Sequence, residues 1–193
     1  MVERIEKAIA AVAGRQYGYI TRAQLLALGM GERAIEYRIR TGRLIPVHAG
    51  VYAVGHLPVT PIAPAFAAVL ACGKGALLSH GSGGTLWGYN KHWDRPFEVT
   101  VQSRHRRPGI SVHRCRTLTE ADIDCQLGVP VTSPARTLLD ITPRLTDTRL
   151  TRVVNDGRHA KILHLEDLYD VLKRNPTHPG PSGFSRSWRR PVA

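Results

Sequence analysis

Cysteine and long apolar runs are scarce in this sequence, and each shortage excludes a class of protein. Its 193 residues include 3 cysteines. These cannot all pair and form no Cys-x-x-Cys array, so a disulfide scaffold and a cysteine-built zinc site are excluded. No segment reaches the roughly 18 uninterrupted apolar residues of a membrane-spanning helix, and the first residues lack the layout of a signal peptide. We therefore expect a cytoplasmic protein in a reducing compartment, with no membrane partner.

Acidic residues are also few, since 15 Asp and Glu stand against 27 Lys and Arg, for a formal net charge of +12. A positive field of this size attracts polyanions. Nucleic acid is therefore the favoured partner, although an anionic membrane surface would satisfy the same charge balance.

Motifs that build active sites are absent from the sequence as well. The groups that might carry acid-base or nucleophilic chemistry are Ser79, His80, His113, Ser133 and Asp140. No Gly-x-Ser-x-Gly elbow, phosphate-binding loop, His-Glu-x-x-His or spaced carboxylate pair is present to hold them. Asp140 sits late in a predicted helix, where bonding to a neighbouring arginine is the commoner role. His113 and Cys115 lack a second pair of metal ligands. We expect no enzyme activity, no metal and no cofactor.

The first 55 residues carry the most information, because they predict a winged helix-turn-helix. Apolar residues spaced at i, i+3, i+4 and i+7 predict an amphipathic helix over 2–13; they are Ile5, Ala8, Ile9 and Val12. Thr21 and Gln24 have capping-box spacing, which predicts the start of a second helix. Gly29 is placed to end that helix in a left-handed conformation. A short glycine-bearing turn between helices is typical of a helix-turn-helix.

The third helix, predicted over 32–41, separates apolar from polar side chains. Ile35 and Ile39 share one face, and arginine and tyrosine residues occupy the other. Segments 43–47 and 51–54 around a short turn predict a β-hairpin, which serves as the wing. In this fold the third helix enters the major groove of double-stranded DNA. The predicted DNA-binding residues are Arg22, Arg33, Tyr37, Arg38, Arg40, Arg43 and His48.

A second unit follows, separated from the first by a proline-rich linker. Helices are predicted near 65–72, 80–87, 134–141, 146–157 and 165–174, and strands over 97–101, 110–114 and 129–131. Ser79 and Ser133 are placed to cap two of these helices. The predicted fold class is therefore α+β: a winged helix over 1–57, a linker over 58–64, an α+β domain over 65–175 and a disordered tail over 176–193. Each unit is expected to close its own core.

Four sequence blocks together resemble the AbiEi-type antitoxin family over about residues 2–175. They are Gly42-Arg43-Leu44 with Gly50-Val51-Tyr52, Leu78-Ser79-His80 with Leu86-Trp87-Gly88, Arg107-Pro108-Gly109-Ile110 with Val112-His113-Arg114, and the run from Gly128 to Asp140. The resemblance implies a transcriptional regulator of a type IV toxin-antitoxin system. Its winged helix would bind promoter DNA, and its second domain would counter a nucleotidyltransferase-type toxin. Many actinobacterial relatives continue into an endonuclease-like domain, which this sequence lacks, so we expect a truncated member.

A second basic cluster surrounds the predicted turn before strand 110–114. It comprises Arg104, Arg106, Arg107, Arg114 and Arg116, with no acid between the first and the last. This cluster would serve as a second DNA contact, as a face for an acidic partner or simply as a solvated loop. Two functional classes stay open. One is a promoter-binding repressor and antitoxin; the other is a toxin-neutralising interaction module without DNA binding, or a remnant of an endonuclease-like protein.

Overall fold

A computed structural model describes residues 2–103 and 106–178, and it confirms the predicted α+β class. The α-helices are α1 (Val2–Gly14), α2 (Arg22–Ala27), α3 (Glu32–Arg40), α4 (Ala63–Cys72), α5 (His80–Leu86), α6 (Pro134–Ile141), α7 (Asp147–His159) and α8 (Leu165–Arg174). The strands are β1 (Tyr19–Thr21), β2 (Leu44–His48), β3 (Val51–Val54), β4 (Leu77–Leu78), β5 (Phe97–Val101), β6 (Ile110–Arg114), β7 (Ile123–Gln126) and β8 (Val129–Thr132). Within these ranges no helix is long and apolar enough to cross a membrane.

The N-terminal unit packs α1, α2 and α3 on a three-stranded sheet of order β1-β3-β2. The predicted capping box is present, because the Thr21 hydroxyl accepts from the Gln24 amide at 3.2 Å and the Gln24 side chain accepts from the Thr21 amide at 2.9 Å. Gly29 ends the α2 region with φ of +86°. Strand β1 was not predicted, because three residues are too few to show an alternating pattern.

The hairpin of β2 and β3 is short and scarcely projects from the sheet. His48 pairs with Val51 across the turn. The Gly50 carbonyl accepts a hydrogen bond from the Arg22 amide at 2.8 Å. The turn therefore lies against the start of α2, and the wing is reduced to a tight connection.

The second unit is built on a five-stranded sheet of order β6-β5-β4-β8-β7. Strand β4 pairs antiparallel with β5 and parallel with β8, while β5 and β6 are parallel. Helix α6 contacts α5 and α8, and α5 and α4 both contact β5. Ser133 caps α6 as predicted, since its hydroxyl accepts from the Arg136 amide at 3.4 Å. Strands β4 and β7 were missed; β4 has two residues, and β7 is largely exposed without alternation.

Helix α5 contains several glycines, and its close packing explains why they are needed. A Cβ at Gly83 would lie 3.3 Å from the Thr137 side chain, and one at Gly81 would lie 2.7 Å from the Glu98 carboxylate. The glycines therefore allow close approach of α6 and β5. The prediction that Ser79 caps α5 by its side chain is wrong. Its hydroxyl instead accepts from Thr100 at 2.8 Å, because both side chains are buried together.

Helix α4 joins the two units through one apolar core. It is buried on nearly all sides and contacts both sheets. One continuous cluster includes Tyr19, Val51 and Ala53 of the N-terminal sheet together with α4 and the five-stranded sheet. The Tyr17 ring lies 5.6 Å from that of Phe66. The N-terminal helices also have a cluster of their own, which includes Leu25, Ile35 and Leu44. The core of the second unit extends into the N-terminal sheet, because α4 starts at Ala63, inside the segment predicted as a linker, and its small residues let both sheets approach it.

Residues 176–178, predicted as the start of a disordered tail, have a defined conformation. The His178 amide donates to the Asn175 carbonyl at 3.1 Å, so residues 176–178 form a turn directly after α8. The rest of the predicted tail, 179–193, lies outside the described residues.

Candidate nucleic-acid interface

Helix α3 presents one exposed polar face. Arg33, Tyr37 and Arg40 are exposed, whereas Ile35 is fully buried and Ile39 is half-buried on the opposite side. The Arg40 guanidinium carbon lies 6.0 Å from the centre of the Tyr37 ring. An arginine at this distance is weakly attracted by the face of the ring. The face therefore has the arrangement expected from the sequence.

Arg38 has an intramolecular partner on α1. Its guanidinium makes two hydrogen bonds to the Glu6 carboxylate, one of them at 3.1 Å from Nη1 to Oε2. The Arg38 side chain is 15% exposed. The hydrogen bond from Arg38 is also the main cause that lowers the pKa of Glu6. Arg38 therefore connects α1 to α3 and is not presented like its neighbours.

Arg22 and His48 are likewise engaged within the protein. The Arg22 guanidinium lies 3.0 Å from the Glu32 carboxylate, which ties the starts of α2 and α3 together. His48 is half-buried, and burial together with the nearby charge of Arg95 lowers its pKa. A histidine with a lowered pKa is neutral at pH 7 and offers no cation to a phosphate.

Arg43 remains exposed, but it lies at the base of the hairpin and not at its tip. It directly precedes β2, close enough to α1 for its charge to help lower the pKa of Glu6. The exposed candidates of the N-terminal unit are therefore Arg33, Tyr37 and Arg40 on α3, with Arg43 just beyond the end of that helix.

The second basic cluster is spread along the edge strand β6. Arg106, Arg114 and Arg116 are exposed, and Arg104 lies outside the described residues. Arg107 is half-buried, and its Nε has no hydrogen-bond partner among the described residues. Residues 106–107 precede β6, and Arg114 is its last residue, so about 13 Å of strand separates the two pairs. Among the described arginines, Arg106 and Arg107 therefore lie before one end of β6, and Arg114 and Arg116 lie at the other.

The histidines considered for chemistry meet in a half-buried cluster at the start of α5. The rings of His80 and His113 stack at 3.6 Å, and His113 Nε2 lies 3.1 Å from Glu98 Oε1. Burial and the neighbouring His113 lower the pKa of His80 to about 3. Burial alone would raise the pKa of Glu98, but hydrogen bonds from His113, Arg144 and the Gly81 amide lower it to about 2. Sequence reasoning missed Glu98, because nothing distinguishes it from any exposed residue of an alternating strand.

Asp140 pairs with an arginine, as its position predicted. Arg136 Nε donates to Asp140 Oδ1 at 2.9 Å, one helical turn away, and both side chains are buried. Burial raises the pKa of Asp140 to about 6, against the opposing charge of Arg136. Arg136 also contacts Asn175 and the Cys115 sulfur. The described residues contain no group of three or more His, Cys, Asp or Glu able to hold a metal ion.

Known proteins resemble this chain in its fold and in the sequence of its N-terminal unit. The crystal structure of the RV2827C protein from Mycobacterium tuberculosis is similar, with a TM-score of 0.53 and 19% identity, over 88% of this chain and 71% of that one. At this identity the similarity shows the fold alone. A comparison with curated proteins found no match. Residues 7–55 match the family model described as "Transcriptional regulator, AbiEi antitoxin". The resemblance to the AbiEi family of transcriptional regulators is thus confirmed for the winged-helix segment of the chain.

Proposed function

We propose that this protein is a transcriptional repressor that binds double-stranded promoter DNA through α3. The observation that carries the proposal is the exposed set of Arg33, Tyr37 and Arg40 on a helix whose other face is buried. This helix lies within the segment that matches a family of transcriptional regulators. The positive net charge supports association with a polyanion.

The dimensions and the side chains of α3 suit the major groove. Its nine residues span about 14 Å, and the groove, roughly 12 Å wide, admits a helix. Arginine reads guanine through two hydrogen bonds, and a good bidentate pair contributes about 1–3 kcal/mol of discrimination. Arg38–Glu6 and Arg22–Glu32 hold α3 against α1 and α2. The helix is therefore positioned before DNA arrives, which lowers the entropy lost on binding.

Fluorescence anisotropy tests this function directly. The probe is a labelled duplex taken from immediately upstream of the protein's own gene, with a shuffled duplex of equal length as competitor. We expect Arg33→Ala and Arg40→Ala each to weaken specific binding by about 5- to 150-fold. Arg152→Ala, an exposed arginine on α7, is the matched control and should bind like the wild type. Equal affinity of the α3 variants and the wild type would remove α3 from the proposal.

The antitoxin role belongs to the same proposal and rests on the family resemblance. We assign neutralisation of a nucleotidyltransferase-type toxin to the second unit, within 65–175. Co-expression of the full chain with the toxin of its own operon should restore growth. The double variant Arg33→Ala with Arg40→Ala should keep that rescue while losing promoter binding. Rescue by a wild-type chain that shows no promoter binding would instead favour an interaction module without DNA binding.

A further inference from the structure

We propose that the second unit contains a binding pocket for a nucleotide, either free or at the end of a nucleic-acid strand. A cavity of about 600 Å³ opens beside the start of α5 and β5. Its lining residues lie between 81 and 149, outside the helix-turn-helix. The volume falls within the roughly 300–1,000 Å³ of small-molecule sites. This inference does not depend on promoter binding by α3.

The cavity is cationic. Its lining includes Lys91, Arg95, Arg144 and Arg149 against two carboxylates, Asp94 and Glu98. Both carboxylate oxygens of Glu98 already have partners within the protein. Oε1 contacts His113 at 3.1 Å and Arg144 at 2.9 Å, and Oε2 accepts from the Gly81 amide at 2.7 Å. The remaining positive charge is complementary to a phosphate group.

Two of the arginines are held in place by the protein. Arg144 uses Nη1 to contact Glu98, and Arg149 uses Nη2 to donate to the Tyr89 carbonyl at 2.7 Å. A guanidinium carries five N–H donors in a rigid plane, so each arginine keeps donors for a ligand. Because their side chains are already positioned, ordering them on binding loses less entropy.

The rest of the cavity suits the uncharged part of a nucleotide. Pro96, Ile141 and Leu145 supply apolar surface beside the basic groups. Asn90 Nδ2 donates to the Gly81 carbonyl at 3.1 Å, which orients the amide. An apolar wall with an oriented amide can accept a base through contact and hydrogen bonding. This combination distinguishes a nucleotide from inorganic phosphate.

Isothermal titration calorimetry of the full chain tests the proposal. The probes are the four nucleoside 5′-monophosphates, a short single-stranded oligonucleotide with a 5′ phosphate, and inorganic phosphate. We expect at least one monophosphate or the oligonucleotide to bind with a Kd below about 1 mM, and inorganic phosphate to bind at least about tenfold more weakly. Tighter binding of the oligonucleotide would identify a strand end as the source, and tighter binding of a monophosphate would identify a free nucleotide.

Matched variants locate the binding in this cavity. Lys91→Gln and Arg149→Gln should each weaken nucleotide binding by about tenfold. Lys91 is exposed, so its variant should fold even if loss of the Arg149–Tyr89 contact unfolds the other. Arg152→Gln, three residues from Arg149 on α7 and not part of the cavity lining, should bind like the wild type. Absence of nucleotide binding at millimolar concentration, equal binding of inorganic phosphate, or binding unchanged in Lys91→Gln would each overturn the proposal.

Discussion

Arg38 and Arg40 lie two residues apart on α3, and the structure predicts opposite consequences for their loss. Arg38→Ala removes two charged hydrogen bonds to Glu6 and a side chain that is 15% exposed. A hydrogen bond to a charged group contributes about 1.5–3 kcal/mol. Since Glu6 is 44% exposed, solvent screens part of the attraction, and we expect a loss of about 1–2 kcal/mol in the free energy of unfolding. For a chain of this length, that lowers Tm by about 2–8 °C.

Arg40→Ala should leave stability nearly unchanged and weaken DNA binding. Its side chain is exposed, so the free energy of unfolding should change by less than about 0.5 kcal/mol. Affinity for promoter DNA should fall by about 5- to 150-fold, because this residue lies on the presented face. Thermal unfolding and fluorescence anisotropy on the same two preparations measure both quantities.

Glu6→Gln provides the control for this pair of variants. It should reproduce most of the Tm loss of Arg38→Ala, and the two substitutions combined should not add, because they remove one interaction. The reasoning is refuted if Arg40→Ala lowers Tm as much as Arg38→Ala does. It is refuted equally if Arg38→Ala leaves Tm unchanged and abolishes DNA binding.

Three further predictions concern salt, pH and the shared core. If the protein neutralises about four to six phosphates, log K for DNA should fall with log salt with a slope of about −4 to −5, and Arg43→Ala should reduce that slope by about one unit. A flat salt response would contradict DNA binding. The pKa of Asp140 is raised to about 6 in the folded protein, so the folded state favours the protonated carboxyl. The free energy of unfolding should therefore keep this contribution below about pH 4 and lose it as the pH rises through 6. Denaturant titrations should show Asp140→Asn without this loss, which is about 3 kcal/mol at pH 7; an identical pH profile would contradict the burial argument. Phe66→Ala should destabilise the protein by about 3–5 kcal/mol, and hydrogen exchange should accelerate in both β3 and α4. Acceleration confined to the second unit would contradict a common core.

Local rules within a few residues were enough to determine the helix-turn-helix. The capping box of Thr21 and Gln24 and the turn at Gly29 act over three or four positions, so they can be recognised from the sequence without knowledge of the fold. The burial of Ile35 and the exposure of Arg33 follow from helical periodicity for the same reason. The sequence by itself therefore identified the helix-turn-helix unit and the exposed face of α3.

The tertiary structure decided which polar residues are available and what surrounds them. Periodicity cannot separate Arg38 from Arg40, because the partner of Arg38 is 32 positions away on α1. Ser79 had a capping position by sequence, but Thr100, 21 positions away, bonds its hydroxyl in the folded chain. The cavity of the second unit assembles residues from 81 to 149, and α4 begins at Ala63, two residues before its predicted start, where both sheets pack on it. Backbone and helix-face preferences act between near neighbours, whereas burial and pairing depend on residues that only folding brings together.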